Sequence, residues 1–143
     1  MANIVNRFPT TSPDEESFIC QNLEPMFGVE VKPLDTVSSP PVASDPAEIS
    51  SKEGLVILTK VSAGAYLLAA PIAGLPSAGG DDGRRLDIID GTGHAHTVTT
   101  PANGINGVNH ILTAAGTKGQ SVSLKAYNGT WYVNGSITGF AIT

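Results

Sequence analysis

His94 and His96 are the only side chains in this sequence with the spacing of a metal-binding pair. Alternate residues of a β-strand point to the same side, so both imidazoles could reach one ion. Residues 97–104 contain no Asp or Glu that would supply the missing acidic ligand. A small cupin-like metal-dependent enzyme would depend on these weak metal candidates. We interpret them instead as a surface or subunit-interface pair and expect no cofactor.

The other reactive side chains do not form a catalytic set. Asp81 and Asp82 precede Gly83, but two carboxylates are too few for calcium, which takes about six to eight oxygen ligands. Cys20 is the single cysteine, and no histidine lies near it in the sequence. The sequence has neither a Gly-x-Ser-x-Gly elbow nor a Gly-Lys-Ser/Thr phosphate loop. We therefore predict that the protein is not an enzyme.

The chain divides near residue 54 into two segments of different composition. Residues 1–53 hold seven of the ten prolines, one of the sixteen glycines, and three basic against nine acidic residues, a net charge of −6. Residues 54–143 hold the other fifteen glycines and a net charge of +1. Proline interrupts helices and favours extended backbone before it. We therefore predict an extended, Pro-rich N-terminal arm and linker over residues 1–53, with room for one short helix from Ser12 to about Leu23.

The arm carries more large apolar side chains than a solvated acidic tail normally does. Burying each of the larger ones is worth about 1.5–3 kcal/mol. We expect the arm to become ordered against a partner or a neighbouring subunit through Phe8, Phe18, Ile19, Leu23, Met26, Phe27, Val29, Val31 and Leu34.

Residues 54–143 alternate strand-like runs with turn signals, and no helical period interrupts them. The pattern predicts an all-β fold: an antiparallel β-sandwich, jelly-roll-like, or a small barrel. Asn128-Gly129 is the signal of a two-residue type I′ hairpin, because both positions require a positive φ. Trp131 and Tyr132 then fall on opposite faces of the returning strand, and we leave open which of them is in the core.

Three runs in residues 82–134 resemble a known class of proteins: Asp82 to Ile89, His96 to Thr99, and Gly119 to Val133. They are similar to the β domains of small virion proteins of tailed bacteriophages, most of all capsid decoration (cement) proteins. The resemblance implies a non-enzymatic β module, often trimeric, bound outside a capsid shell. The hairpin motif at the end of the third run also occurs in tail and fibre modules.

These observations lead us to expect a capsid decoration protein on the outer surface of the virion, made in the cytoplasm of a bacterial host. Its arm would staple subunits of the major capsid protein, in part by strand addition. The alternative is a tail, fibre or baseplate β module with glycan-binding loops at residues 75–83 and 101–108. A net charge of −5 disfavours nucleic acid as a partner, and no stretch approaches the ~18 apolar residues of a membrane span.

A β domain of about 90 residues without disulfides is only marginally stable alone, and closed symmetry is a common remedy. We therefore expect a homotrimer. Residues 102–117 contain no Lys, Arg, Asp or Glu. We predict that this stretch forms the subunit contact, through Ile105, Val108, Ile111 and Leu112.

Overall fold

A computed structural model describes residues 37–40 and 45–143. Among them are one short 3-10 helix, Pro76–Ala78, and the strands β1 (Val37–Ser38), β2 (Ala47–Ile49), β3 (Gly54–Leu58), β4 (Ala65–Leu68), β5 (Arg85–Asp90), β6 (Thr97–Thr99), β7 (Ile111–Ala114), β8 (Ser121–Tyr127), β9 (Thr130–Thr138) and β10 (Phe140–Ile142). The first sheet has the order β1-β3-β5-β8-β9, and the second has the order β10-β7-β6-β4-β2. The all-β prediction is confirmed, in the form of a sandwich of two open sheets. No helix in the described part is long and apolar enough to cross a membrane.

The chain switches sheets at every step from β1 to β6. β1, β3 and β5 pair in parallel in the first sheet, and β2, β4 and β6 do so in the second. β7 to β10 then add antiparallel pairs to both sheets. The sheets are therefore mixed, and the purely antiparallel arrangement expected from the sequence applies only to the C-terminal half. Parallel neighbours cannot be joined by a tight hairpin, and crossing to the other sheet supplies the longer connection that they need.

Alternate residues of the strands fill the space between the two sheets. β8 shows the pattern most clearly, because its apolar positions Val122, Leu124 and Ala126 are buried while Lys125 and Tyr127 are exposed. This period of two is what a half-buried strand requires. The core cluster is Ala47, Ile49, Val56, Leu58, Tyr66, Leu68, Leu86, Ile88, Val98, Ile105, Leu112, Ala114, Val122, Leu124, Ala126, Trp131 and Phe140.

The compact β unit begins before the predicted boundary at residue 54. β1 lies at the edge of the first sheet and β2 at the edge of the second, where Ala47 and Ile49 are buried in the core. The prolines before residue 54 were interpreted as marks of a linker. Proline is nevertheless tolerated beside edge strands, because its missing N–H breaks no hydrogen-bonded ladder there. The helix predicted from Ser12 lies outside the described residues.

The predicted hairpin at Asn128-Gly129 is confirmed. Asn128 has a φ of 48° and Gly129 a φ of 78°, and they join the antiparallel strands β8 and β9. The turn sets a register in which Ala126 lies opposite Trp131 and Lys125 lies opposite Tyr132. Trp131 therefore faces the core, and Tyr132 faces outward.

Candidate functional site

Asp90, Thr92 and His96 form the centre of a buried polar cluster. Asp90 ends β5, and His96 directly precedes β6; both side chains are fully buried. Asp90 Oδ1 accepts the backbone N–H groups of Thr92 and Gly93, each at 2.8 Å, as aspartate does in many tight turns. The Thr92 hydroxyl lies 3.2 Å from Asp90 Oδ1 and 2.8 Å from His96 Nε2. An ionised carboxylate only accepts hydrogen bonds, so we assign the Thr92 hydroxyl as the donor to Asp90 Oδ1. The protonated Nε2 of His96 then donates to the Thr92 hydroxyl oxygen.

The two buried ionisable groups are held in different charge states. Burial raises the pKa of Asp90, but the N–H groups of Gly93 and Thr92, the Thr92 hydroxyl and His96 outweigh it, so the pKa is lowered. Burial lowers the pKa of His96, against the opposing effects of Asp90 and the Gly64 backbone. At neutral pH the pair is a carboxylate beside a neutral imidazole, with Asp90 Oδ1 3.7 Å from His96 Nε2.

Lys60 and Tyr66 extend the cluster toward the surface. Lys60 is only 5% exposed, and its Nζ donates to Asp45 Oδ1 at 2.7 Å and to the Ala65 carbonyl at 2.9 Å. That ammonium also lies 5.0 Å from the centre of the Tyr66 ring. The Tyr66 hydroxyl accepts the backbone N–H of Lys60, and its ring meets His96 edge to face at 5.4 Å. The cluster therefore connects strands of both sheets.

This arrangement is suited to holding the fold and not to catalysis. A hydrolytic triad places its acid and its nucleophile on different nitrogens of the histidine. Here Asp90 and Thr92 both approach Nε2, while the buried Nδ1 of His96 has no hydrogen-bond partner. Asp90 and His96 expose no surface that a substrate can reach.

The structure corrects the interpretation of His94 and His96 as a surface pair. His96 is a core residue and His94 is half-buried, with 6.1 Å between the ring centres. Within residues 37–40 and 45–143, no three His, Cys, Asp or Glu side chains form a group that could hold a metal ion.

The Asp81–Arg85 segment is an ion-pair network anchored by a buried aspartate. Asp81 accepts the Ile72 N–H at 2.7 Å and lies 3.0 Å from Lys52 Nζ and 3.1 Å from Arg84 Nε. Burial raises the pKa of Asp81, but the Ile72 N–H, Lys52 and Arg84 have a larger opposite effect, so the pKa is lowered overall. Arg84 also pairs with Glu53 at 2.9 Å. These contacts join the loop before β5 to the segment before β3.

An open groove of about 500 Å³ lies on the outer face of the first sheet, beside the β8–β9 hairpin. We call it the tyrosine groove; its lining is Gly83, Lys125, Ala126, Tyr127, Tyr132, Val133 and Asn134. Tyr127 lies opposite Thr130, two positions from Tyr132, so both rings share one face. Tyr127 is not among the site residues predicted from the sequence. The Asn-Gly turn was the signal that could have found it, because that turn fixes the register.

The predicted subunit contact is not a single surface. Ile105 and Leu112 are fully buried in the core of this chain, which corrects their assignment to an interface. The uncharged stretch from 102 to 117 is mixed: Gly104, Ile105, Leu112 and Ala114 are buried, and most of its other residues are exposed. Val108 is 70% exposed, and Ile111 is half-buried. The nine apolar residues predicted to bind a partner, from Phe8 to Leu34, lie outside the described residues.

No protein-family model matches this sequence, and no curated protein matches it. The buried polar cluster, the tyrosine groove and the composition of the N-terminal segment are the features that a function must accommodate.

Proposed function

We propose that this chain is a structural virion protein that decorates the outer surface of a tailed-phage head and stabilises the shell. One observation carries the proposal. The core cluster of the β unit is drawn from residues 47–140, whereas the first 34 residues bring further large apolar side chains, among them the nine predicted to bind a partner, with no regular period. A sequence of that kind is suited to burial against another protein.

The proposed partner is the major capsid protein. The N-terminal segment binds across the seam between capsid subunits, where it buries its aromatic side chains and adds backbone hydrogen bonds to an exposed sheet edge. Residues 1–34 hold five acidic and two basic residues, a net charge of −3, and we propose that these acidic side chains pair with basic groups on the shell. Many copies bound to one shell act together, so modest individual contacts resist outward pressure.

The β unit is the part that stands on the shell, and we propose that it assembles as a homotrimer. Exposed apolar side chains available for a subunit contact include Val61, Leu75 and Val108. The full chain at micromolar concentration is expected to sediment with the mass of three copies, and a stable monomer would contradict this part of the proposal.

The test of the proposed function is removal of residues 1–34. This deletion ends before β1 and spares the buried residues of β2, so the β unit is expected to keep its melting temperature within a few degrees. The shortened protein is expected to lose binding to purified heads that lack the protein. Removal of residues 1–50 is a poor substitute, because it also deletes Ala47 and Ile49, and burial of one isoleucine alone is worth about 1.5–3 kcal/mol.

A matched pair of variants separates the arm from the β unit. Phe27→Asp in the arm is expected to weaken head binding, whereas Lys118→Gln in the β unit is expected to leave it unchanged. Unchanged occupancy of heads by the shortened protein would contradict the proposed role of the arm.

A further inference from the structure

The tyrosine groove has features of a ligand site that shell binding does not use. Tyr127 is 63% and Tyr132 is 41% exposed, with ring centres 6.4 Å apart and ring planes inclined by 55°. Exposure of two neighbouring aromatic rings to water is unfavourable unless a partner covers them. One ring can lie against the face of a bound ring while the other contacts its edge.

The polar groups of the groove favour an anion. Lys125 lies opposite Tyr132 and forms no ion pair within the described part of the chain. Its neighbour on the other side, Arg85, is bound to Asp87 and Ser123. No residue that lines the groove is acidic. A ligand would therefore meet one unpaired ammonium, and the two phenol groups and Asn134 can exchange hydrogen bonds with it.

Hydrogen bonds within and around its lining hold the groove in shape. Asp82 Oδ1 accepts the backbone N–H of Asn128 at 2.6 Å, which fixes the hairpin turn. The Gly83 N–H donates to the Ala126 carbonyl at 2.8 Å. Beneath the sheet, the buried Trp131 donates its indole N–H to the Ala69 carbonyl at 3.0 Å. A site built on a sheet with such supports loses little entropy when a ligand binds.

We propose that the tyrosine groove binds a saccharide that carries a carboxylate. A sugar ring has a face of C–H groups that packs against an aromatic ring, and a rim of hydroxyls that bond to amides and phenols. Lys125 supplies the charge that pairs with the carboxylate. A proline-rich peptide also fits between aromatic rings, but its recognition makes no use of the unpaired ammonium.

This site does not depend on where the protein sits on a virion, so it can be tested with the purified full chain. The probes are two pairs of oligosaccharides, each with an acidic and a neutral member: galacturonate trimer with galactose trimer, and sialylated lactose with lactose. A polyproline peptide is the third kind of probe. The full chain is expected to bind at least one acidic member more tightly than its neutral counterpart.

Three variants report on the groove. Tyr127→Ala and Tyr132→Ala are each expected to weaken acidic-saccharide binding about tenfold or more. Lys125→Gln is expected to remove the preference for the acidic member and to leave binding of the neutral one unchanged. Leu67→Ala, an exposed apolar change in β4 of the second sheet, is the matched control and is expected to bind as the unchanged chain does. Each variant is checked by thermal melting. Lys125→Gln alters no buried side chain, so it keeps the test valid if a tyrosine variant melts early.

Four outcomes would overturn the proposal. The first is the absence of binding to every saccharide, and the second is equal binding of acidic and neutral members. The third is unchanged binding by Tyr132→Ala. The fourth is binding of the polyproline peptide in place of the saccharides, with loss in the tyrosine variants, which would assign the groove to a peptide.

Discussion

The buried polar cluster and the tyrosine groove both contain side chains that can do chemistry, but the cluster is closed to solvent and the groove is open to it. The cluster contains Asp90 and His96, residue types common in active sites, yet both are closed off from solvent. The groove contains two tyrosines and a lysine, none paired in a catalytic geometry, yet all are open to a ligand. Access, and not residue type, separates a structural network from a candidate binding site.

Mutations in the two regions are therefore expected to affect different properties, folding in the cluster and binding in the groove. Asp90, Thr92 and His96 are hydrogen-bond partners inside the cluster, so loss of Asp90 or Thr92 leaves buried groups without these bonds. Groups in the groove are satisfied by water, so their loss affects binding and hardly affects folding. Substitutions chosen in adjacent positions on opposite faces of one strand test this contrast.

The largest effect is expected at Trp131, which is adjacent to Tyr132 in β9. Trp131→Ala removes a fully buried side chain that joins the two sheets, and is expected to lower the free energy of unfolding by about 3–5 kcal/mol. Tyr132→Ala is expected to change it by about 0.5 kcal/mol or less, because the side chain is exposed. Urea unfolding of the two variants measures both. Similar losses in the two would erase the contrast between the faces of β9.

The next effect is expected at Asp90, with Asp87 on the same strand as its control. Asp90→Ala leaves the N–H groups of Thr92 and Gly93 without an acceptor and is expected to cost about 2–4 kcal/mol. Asp87 is partly exposed and pairs with Arg85, so Asp87→Ala is expected to cost about 1 kcal/mol or less. Unfolding free energies at neutral pH compare them. Equal costs would show that the cluster adds nothing beyond a surface ion pair.

A smaller effect is expected from pH. The pKa of His96 is lowered below its usual 6.5 by burial, and His94 and Lys60 also disfavour its protonation. Between the lowered pKa and 6.5, the unfolded chain binds a proton that the folded chain refuses, so stability is lost as pH falls through this interval. The loss is about 1.4 kcal/mol for each unit by which the pKa is lowered. The lowered pKa of Asp90 acts in a different window, because its contribution is lost only as pH falls below its usual 3.8.

Unfolding midpoints measured between about pH 7.5 and pH 5 test the pH effect. His96→Gln is expected to flatten the dependence, whereas His110→Gln, a change at an exposed histidine, is expected to preserve it. A dependence that survives His96→Gln would place its origin elsewhere in the molecule.

The sequence was sufficient for the features that depend on neighbouring residues. The period of two in β8 and the positive-φ turn at Asn128-Gly129 predicted strands and hairpin correctly. Whether Trp131 or Tyr132 is in the core was left open by the sequence, and the register of the hairpin decides it, since the turn pairs Trp131 with Ala126 on the apolar side of β8.

Features that depend on pairing between strands distant in the sequence could not be predicted from the sequence. The parallel half of the fold pairs strands that are separated by whole connections, and an apolar-polar alternation serves parallel and antiparallel partners equally. β2 was hidden because its segment, with Pro46 and Glu48, has the composition of a linker. His96 was expected at a surface or a subunit interface, since nothing in the neighbouring sequence indicates that Thr92 will bond its Nε2 inside the core.

The central claim is that this chain is displayed on the outside of a phage head, and electron microscopy of intact virions tests it most directly. A gold label carried by an antibody against this chain is expected to decorate the head surface at regular positions. Heads that lack the protein and are then incubated with the chain shortened by residues 1–34 should show no label. Label confined to the tail, fibres or baseplate, or purified virions that lack the chain altogether, would contradict the account.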